Sequence, residues 1–359
     1  MTDQRSLKYF LGGSTSCGFY SLYDSFVSLA QGDFLWIIKG GTLCGKSSFL
    51  KMIGSAAEAA GLRVEYALSP DDPAVPDGVY IPSLKTAYID GDAPHTAETN
   101  LYSADSAYID LGEFCDRDAI SKFREELGVL RAVLENNYDK IYALLGAAGK
   151  LRSGWQGTFA SEAGKAAVSR RINALALREF GKRRRTNGKI SRRFLSALTY
   201  DGLKAFPGTA GTLCRRIYVL ENRYRLGGPA LNTIAEAALC TGRDIIACPD
   251  PLVPGLLEAV LVPSLSLGFT TSDSGLASVA GARHIRLDAM AEEANGKRAR
   301  QELRRCEKLI SALTEEAVSV LGEAKLVRDE IAKIYEPNVD LGAVSSLAAK
   351  HIRLLGLSI

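Results

Sequence analysis

The chain has 359 residues, of which 47% are hydrophobic, with 44 Lys or Arg against 41 Asp or Glu and a formal charge of +3. This composition excludes a disordered, collagen-like or fibrous chain, and the length suits two domains, each with its own core. So even a charge balance does not mark the whole chain as a nucleic-acid or membrane binder.

The opening, MTDQRSLKYFLGG, has no basic head followed by an apolar stretch, so no secretory leader is expected. The first strong element is the apolar run FLWIIK, Phe34 to Lys39, with the length of a buried strand. GGTLCGKS follows from Gly40 to Ser47, and then SFLKMIGSAAEAAG, whose Phe49, Leu50, Ile53 and Ala57 have helical spacing. Strand, G-x-x-x-x-G-K-S and helix together make the phosphate-binding P-loop, or Walker A, signature. In such a loop, glycines let backbone N–H groups wrap phosphates at a positive helix N-terminus. Gly40, Gly41, Thr42, Leu43, Cys44, Gly45, Lys46, Ser47 and Ser48 are the expected nucleotide contacts. Lys46 would reach the β- and γ-phosphates and the Ser47 hydroxyl would ligate Mg²⁺, so ATP and Mg²⁺ are the cofactors the motif implies. Leu43 and Cys44 make the loop tip bulkier than usual, and Cys44 is a candidate for oxidation.

A P-loop enzyme also needs an acid at a neighbouring strand end to hold Mg²⁺. Thr86–Asp90 and Ser106–Asp110 both contain AYID and both read as strands. After Asp90, the GDAPH stretch places Asp92 and His95 where either could orient an attacking water. From 116 to 181 the pattern is helical, with Leu127, Leu130, Leu134, Ile141 and Leu144 on a 3–4 spacing. Arg178 to Arg193 holds eight basic residues and one acid, without a series of aromatics interleaved for base stacking. A solvated linker is favoured there over a nucleic-acid or anionic-lipid surface. Arg183 to Arg185, or Arg223 and Arg225, are a weaker option as an arginine finger.

The chain then repeats itself. FLGGSTSCG (10–18) echoes FLSALTYDG (194–202), WIIKGGTLCGKSSFL (36–50) echoes YVLENRYRLGGPALN (218–232), and IPSLKTAY (81–88) echoes VPSLSLGF (262–269). At an offset of 176 the helical stripe returns as Leu303, Cys306, Ile310, Ala317 and Val320 and continues through Ile334 to a stop at Pro337. This alignment sets Gly228 against Lys46, Pro229 against Ser47 and Thr271 against Asp90, while Asp110 keeps Asp288 as counterpart. A metal ligand should vanish together with phosphate binding, which favours Asp90 over Asp110. The second copy is expected to be deficient in nucleotide binding.

The apolar stretch Leu252–Phe269 is broken by Pro254, Glu258 and Pro263, so no membrane span is expected. Seven scattered cysteines and three histidines show no zinc spacing and suit a reducing, cytoplasmic location.

With these residues assembled, the chain resembles an uncharacterised family of bacterial cytoplasmic P-loop ATPases with two tandem nucleotide-binding domains. The resemblance covers most of the chain, through FLGGSTSCGFYSLYDS, KGGTLCGKSSFLKMIG, VPDGVYIPSLKTAYIDGDAPH and their echoes near 194, 218 and 262. In that family the first loop usually reads GGPGTGKS and the second half often keeps its own P-loop. This chain departs at Thr42, Leu43 and Cys44, and its second loop is broken. The resemblance implies ATP binding and hydrolysis and supplies no client.

The expected fold is therefore α/β, with two tandem P-loop NTPase-type three-layer domains, 1–185 and 186–359. Each is followed by a long helical segment of hairpin or coiled-coil character, about 116–181 and about 290–359. The expected function is slow Mg-dependent ATP hydrolysis in the first domain. A phosphotransferase acting on a small acceptor and a non-hydrolysing nucleotide-sensing scaffold are the alternatives. A nucleic-acid motor would rest on the 178–193 run alone.

Overall fold

Short runs rich in Ile, Val, Tyr and Phe become the strands of two six-stranded sheets. The computed structural model describes residues 6–41, 43–94, 97–98, 101, 103–155, 160–182, 186–277, 281–291 and 297–358. In chain order, β1 is Leu7–Phe10, and β2 (Gly12–Thr15) and β3 (Gly18–Ser21) form a hairpin. Then come β4 (Phe34–Lys39), α1 (Lys46–Ala59), β5 (Glu65–Leu68), β6 (Pro76–Ile81), β7 (Thr86–Asp90) and β8 (Ser106–Asp110). The short α2 (Arg117–Ser121) is capped by Asp116, whose carboxylate accepts from Ala119 N–H at 3.0 Å. The long α3 (Arg124–Gly154) and then α4 (Glu162–Phe180) follow.

Next are β9 (Ile190–Arg192), the hairpin β10 (Ser196–Thr199) and β11 (Gly202–Ala205), α5 (Pro207–Leu213), β12 (Arg216–Leu220) and α6 (Gly227–Cys240). The chain closes with β13 (Ile245–Pro249), β14 (Leu257–Val262), β15 (Leu267–Thr271), β16 (Arg283–Ile285), α7 (Leu287–Ala291), α8 (Lys297–Tyr335) and α9 (Leu341–Leu354). Pro337 ends α8 as its lost N–H requires, with a 3-10 turn at Glu336–Asn338.

The first sheet runs β1-β5-β6-β7-β4-β8 and the second β9-β13-β14-β15-β12-β16 when read from the corresponding edge. Both have the same directions: the third strand in each order is antiparallel to its two neighbours and all other pairs are parallel. The IPSL and VPSL echoes are one device, a 3-10 turn at Pro82–Leu84 or Pro263–Leu265. Each ends in a left-handed residue, Lys85 at φ 50° or Ser266 at φ 48°.

Contacts do not divide the chain at 185/186. One unit comprises residues 1–12, 21–141 and 319–359, and the other 13–20 and 142–318. The expected helical segments are thus split: α4 packs on α6 within the second unit, and α9 packs on α1 within the first. The reason is that the two helices carry equivalent apolar stripes. Val168, Ile172, Leu175 and Ala176 are buried in α4, and Val344, Ala348, His351 and Ile352 in α9. Likewise, the β2–β3 hairpin residues Gly13–Tyr20 belong to the second unit.

The first unit's core joins Ile38, Phe49, Leu50, Ile53, Val79 and Tyr88 to Val344, Ala348 and Ile352 of α9. Complete burial of each large side chain there contributes roughly 1.5–3 kcal/mol. The stripe of α8 is buried at Leu303, Cys306, Ala317, Val320, Ala324, Ile331 and Ile334. That of α3 is buried at Ile141 and half-buried at Leu127, Leu130, Leu134 and Leu144. Residues 178–193 are not a linker throughout: Arg178 and Glu179 lie in the last turn of α4, and Ile190–Arg192 form the sheet edge β9. Arg183 to Arg185 lie outside the described residues. Among the described residues no helix is long and apolar enough to cross a membrane.

Candidate functional site

In the first unit, β4 lies between β7 and β8 and is parallel to both, so three strand ends meet at the loop that leads into α1. Gly40 adopts φ 143°, and a Cβ there would stand 2.7 Å from Gly112 N and 3.0 Å from Leu111 C. Only glycine lets this loop approach the turn after β8 so closely. Gly45 turns the chain into α1 at φ 81°, and a Cβ on it would meet Val344 Cγ2 of α9 at 3.2 Å. Leu43 is exposed and also left-handed, at φ 65°; Ser47 is half-buried and Ser48 exposed. Thr42 and His95 lie outside the described residues.

Lys46 begins α1 and is buried, with Nζ 2.8 Å from Asp90 Oδ1 and 2.5 Å from Asp92 Oδ2. Asp90 is the last residue of β7, opposite Ile38 of β4. Its Oδ1 also accepts from Asp92 N–H at 2.9 Å, and Asp92 Oδ2 accepts from Gly41 N–H at 2.8 Å. Burial raises the Asp90 pKa above its ordinary value, and Lys46 partly offsets it. Burial also works against the Lys46 charge, yet Asp90 and Asp92 hold its pKa above the ordinary lysine value. Lys39, the last residue of β4, donates from Nζ to Gly91 O at 2.6 Å and so ties down the loop carrying Asp92.

The structure therefore brings Lys46, Asp90, Asp92 and Gly41 together. Asp110 is not part of this cluster: it is exposed, pairs in register with Lys39, and accepts from Gly112 N–H at 2.8 Å. Gly91 follows the strand-end acid Asp90, and a Cβ there would fall 2.3 Å from Ile37 Cγ2. The hard oxygens available for Mg²⁺ are the Ser47 hydroxyl and the Asp90 carboxylate, which suits an ion that keeps several waters. Among the described residues, no group of three or more His, Cys, Asp or Glu could hold a metal. Two features had no signal in the loop motif itself. One is the cover that α9 lays over Gly45, and the other is Cys115, whose Sγ lies 2.9 Å from that of Cys44.

In the second unit, the corresponding loop is one residue shorter than aligned sequences suggest. Leu220 stands opposite Thr271 as Ile38 does opposite Asp90. The first helical hydrogen bonds, Phe49 N–H to Gly45 O and Ala230 N–H to Leu226 O, then set Gly227 against Lys46 and Gly228 against Ser47. This corrects the pairing of Lys46 with Gly228 and of Ser47 with Pro229. The lysine and the hydroxyl are missing in either register. The sheet pairing also corrects the Asp110–Asp288 match: Ile285 stands where Ile109 does, so Arg286 takes the place of Asp110. Both strand-end acids are thus absent from the second copy, and contact with Lys46 is what distinguishes Asp90. Asp288 instead accepts from Arg223 and Tyr224 N–H at 3.3 and 3.4 Å.

Asp273 occupies the place of Asp92. It accepts from Asn222 Nδ2 at 2.7 Å, from Arg152 at 3.4 Å, and from Arg225. Burial opposes the charge on Asp273, but Arg225 and Arg152 hold its pKa below the usual carboxylate value. The Asn222 side-chain oxygen accepts from Gly227 N–H at 2.7 Å, which closes the start of α6. Arg225 is engaged within its own unit. No protein-family model, no curated protein and no solved structure matches the chain.

Proposed function

We propose that the first unit binds a nucleoside triphosphate with Mg²⁺, ATP by default, and hydrolyses it slowly, while the second unit is a copy that does not bind. The observation that carries this reading is Lys46, at the start of α1 in a G-x-x-x-x-G-K-S loop, paired at 2.8 Å with the acid ending the adjacent parallel strand. Lys46 supplies the phosphate-binding charge, the loop N–H groups cradle the phosphates, and Ser47 with Asp90 holds Mg²⁺ directly or through water. Asp92 sits where the anion would, accepting from both Gly41 N–H and Lys46. Phosphate entry therefore exchanges one anion for another, and Asp92, once released, is the carboxylate closest in sequence for orienting water.

Binding without turnover is a second reading, favoured by Gly91, whose position has no room for a general-base side chain. The test is Mg-dependent ATP binding and phosphate release by the full chain, Lys46→Ala and Asp90→Asn. Hydrolysis by wild type, loss of binding in Lys46→Ala and binding without release in Asp90→Asn support the ATPase. Binding without release by wild type transfers the reading to the sensor or, if an added acceptor restores ADP formation, to the phosphotransferase. No binding by wild type overturns the proposal.

A further inference from the structure

Two thiols meet beside the Lys46 loop. Cys44 lies two residues before Lys46 and is buried, and Cys115 follows the turn after β8 and is half-buried. Their sulfurs are 2.9 Å apart, so a shift of less than about 1 Å brings them to bonding distance. The backbone holds them there from two sides. The loop is pressed against the Gly112–Phe114 turn at Gly40, as the 2.7 Å approach of a Gly40 Cβ to Gly112 N records. Cys115 forms a β-bridge to Val339, flanked by Asp116 N–H to Asn338 O at 2.8 Å and Asp340 N–H to Phe114 O at 2.9 Å. Cys44 Sγ also donates to Gly40 O, so its hydrogen takes part in the shape of the loop.

We propose that Cys44 and Cys115 form a reversible disulfide that pins the Gly40–Lys46 loop to the turn after β8. The oxidant is hydrogen peroxide. Cys115, the more exposed thiol, attacks the O–O bond and becomes a sulfenic acid with release of one water. The Cys44 sulfur then displaces that oxygen as a second water, forming the S–S bond. Two electrons pass from the two thiols to the peroxide, and both thiol protons end in water. Burial and the Cys115 contact push the Cys44 thiol up to about 12, which makes it the poorer nucleophile toward peroxide; the 2.9 Å separation from Cys115 is what assigns it the second, resolving step. Oxidation removes the S–H that Gly40 O accepts. Resting on the nucleotide reading above, the pinned loop is expected to bind phosphate more weakly.

The experiment exposes the full chain to hydrogen peroxide at slight molar excess, alkylates the remaining thiols and maps the peptides without reductant. A peptide linking Cys44 to Cys115, reversed by dithiothreitol, is expected, while Cys17, an exposed cysteine, serves as the internal marker that oxidant was delivered. Oxidation of Cys17 with Cys44 and Cys115 both alkylated, or Cys115 over-oxidised with Cys44 still a thiol, overturns the proposal. In parallel, Mg·ATP affinity should fall at least tenfold on oxidation in wild type and stay unchanged in Cys115→Ser, which leaves the buried Cys44 in place. An equal loss in Cys115→Ser overturns the role of the pair. If the reduced protein binds no nucleotide, the linked peptide still stands and the nucleotide reading alone fails.

Discussion

Asp92→Asn separates an anion seat from a simple structural salt bridge. The carboxylate accepts a charge-assisted bond from Lys46 at 2.5 Å and a backbone bond from Gly41 at 2.8 Å. An asparagine oxygen can keep the Gly41 bond but forfeits the attraction to the ammonium. A hydrogen bond to a charged group contributes about 1.5–3 kcal/mol, and the lower end applies because the Asp92 side chain is 24% exposed and partly screened. Releasing Lys46 to an incoming phosphate therefore becomes easier by about 1.5 kcal/mol, or about tenfold in affinity. Removing a negative charge next to a triphosphate acts in the same direction. Calorimetric titration with Mg·ATP, on variant and wild type with matched melting midpoints, reads this directly. Should affinity stay the same or weaken, Asp92 is not a competitor for the phosphate seat and the exchange argument is wrong. Turnover gives a second, independent number: if Asp92 orients the water, release per bound nucleotide falls by roughly 10²–10⁴-fold while binding tightens.

Two further outcomes follow from buried groups and a third from the Gly41 N–H. Burial pushes the Glu258 carboxyl up to about 8 from an ordinary 4.5, so its contribution to stability is complete below about pH 4.5 and gone once pH has risen past about 8. The unfolding free energy of wild type, from urea titrations, should fall across that window by an amount on the order of a few kcal/mol, and Glu258→Gln should flatten the fall; parallel profiles would refute this. His351 has the opposite sign. Burial lowers it to about 4 from 6.5, so its contribution is complete above pH 6.5 and lost as pH falls toward 4, and His351→Phe should remove that acid sensitivity from the first unit's melting. Mg·ATP should slow amide hydrogen exchange at Gly41, whose N–H faces Asp92 in the seat, and leave exchange at Gly227 unchanged; equal protection at both would show that the second loop binds as well.

Local elements were legible because their physics is local. The FLWIIK run and the Phe49, Leu50, Ile53, Ala57 spacing each satisfy one burial period, and they became β4 and α1 at the expected residues. The echoes at 36–50 and 81–88 identified pieces that do occupy equal places in two sheets of equal strand order, and the one at 10–18 falls on a two-stranded hairpin in each copy. What escaped was long-range choice between equivalent surfaces. The stripes of α4 and α9 bury the same pattern, so nothing in their sequences says that α4 belongs on α6 and α9 on α1. The one-residue slip in the second loop escaped for a related reason. Gly45 and Gly227 invite alignment by identity, whereas the backbone bonds to Phe49 and Ala230 place Gly227 one position later. Cys44 was singled out as oxidisable, but its partner lies 71 residues away in sequence, where only the tertiary approach of Gly40 to Gly112 brings it.

The two loops solve one electrostatic problem in different ways. Each has a helix N-terminus near an acid two residues beyond the strand end, Asp92 or Asp273, whose side chain is only partly shielded from water. In the second unit the answer is permanent. Asn222 caps Gly227 N–H and donates to Asp273, and Arg225 and Arg152 complete its neutralisation, so the acid is held by fixed neighbours. An anion arriving there would have to break a neutral cap and compete with an acid held by two arginines. In the first unit, among the described residues, Lys46 bridges Asp90 and Asp92, and the Gly41 N–H donates to the same Asp92 Oδ2 that Lys46 holds. The same acid is retained at both places, but only beside Lys46 is it held by groups that a phosphate could take over one for one. That difference, rather than the glycine pattern alone, is why nucleotide binding is proposed at the first loop and not at the second.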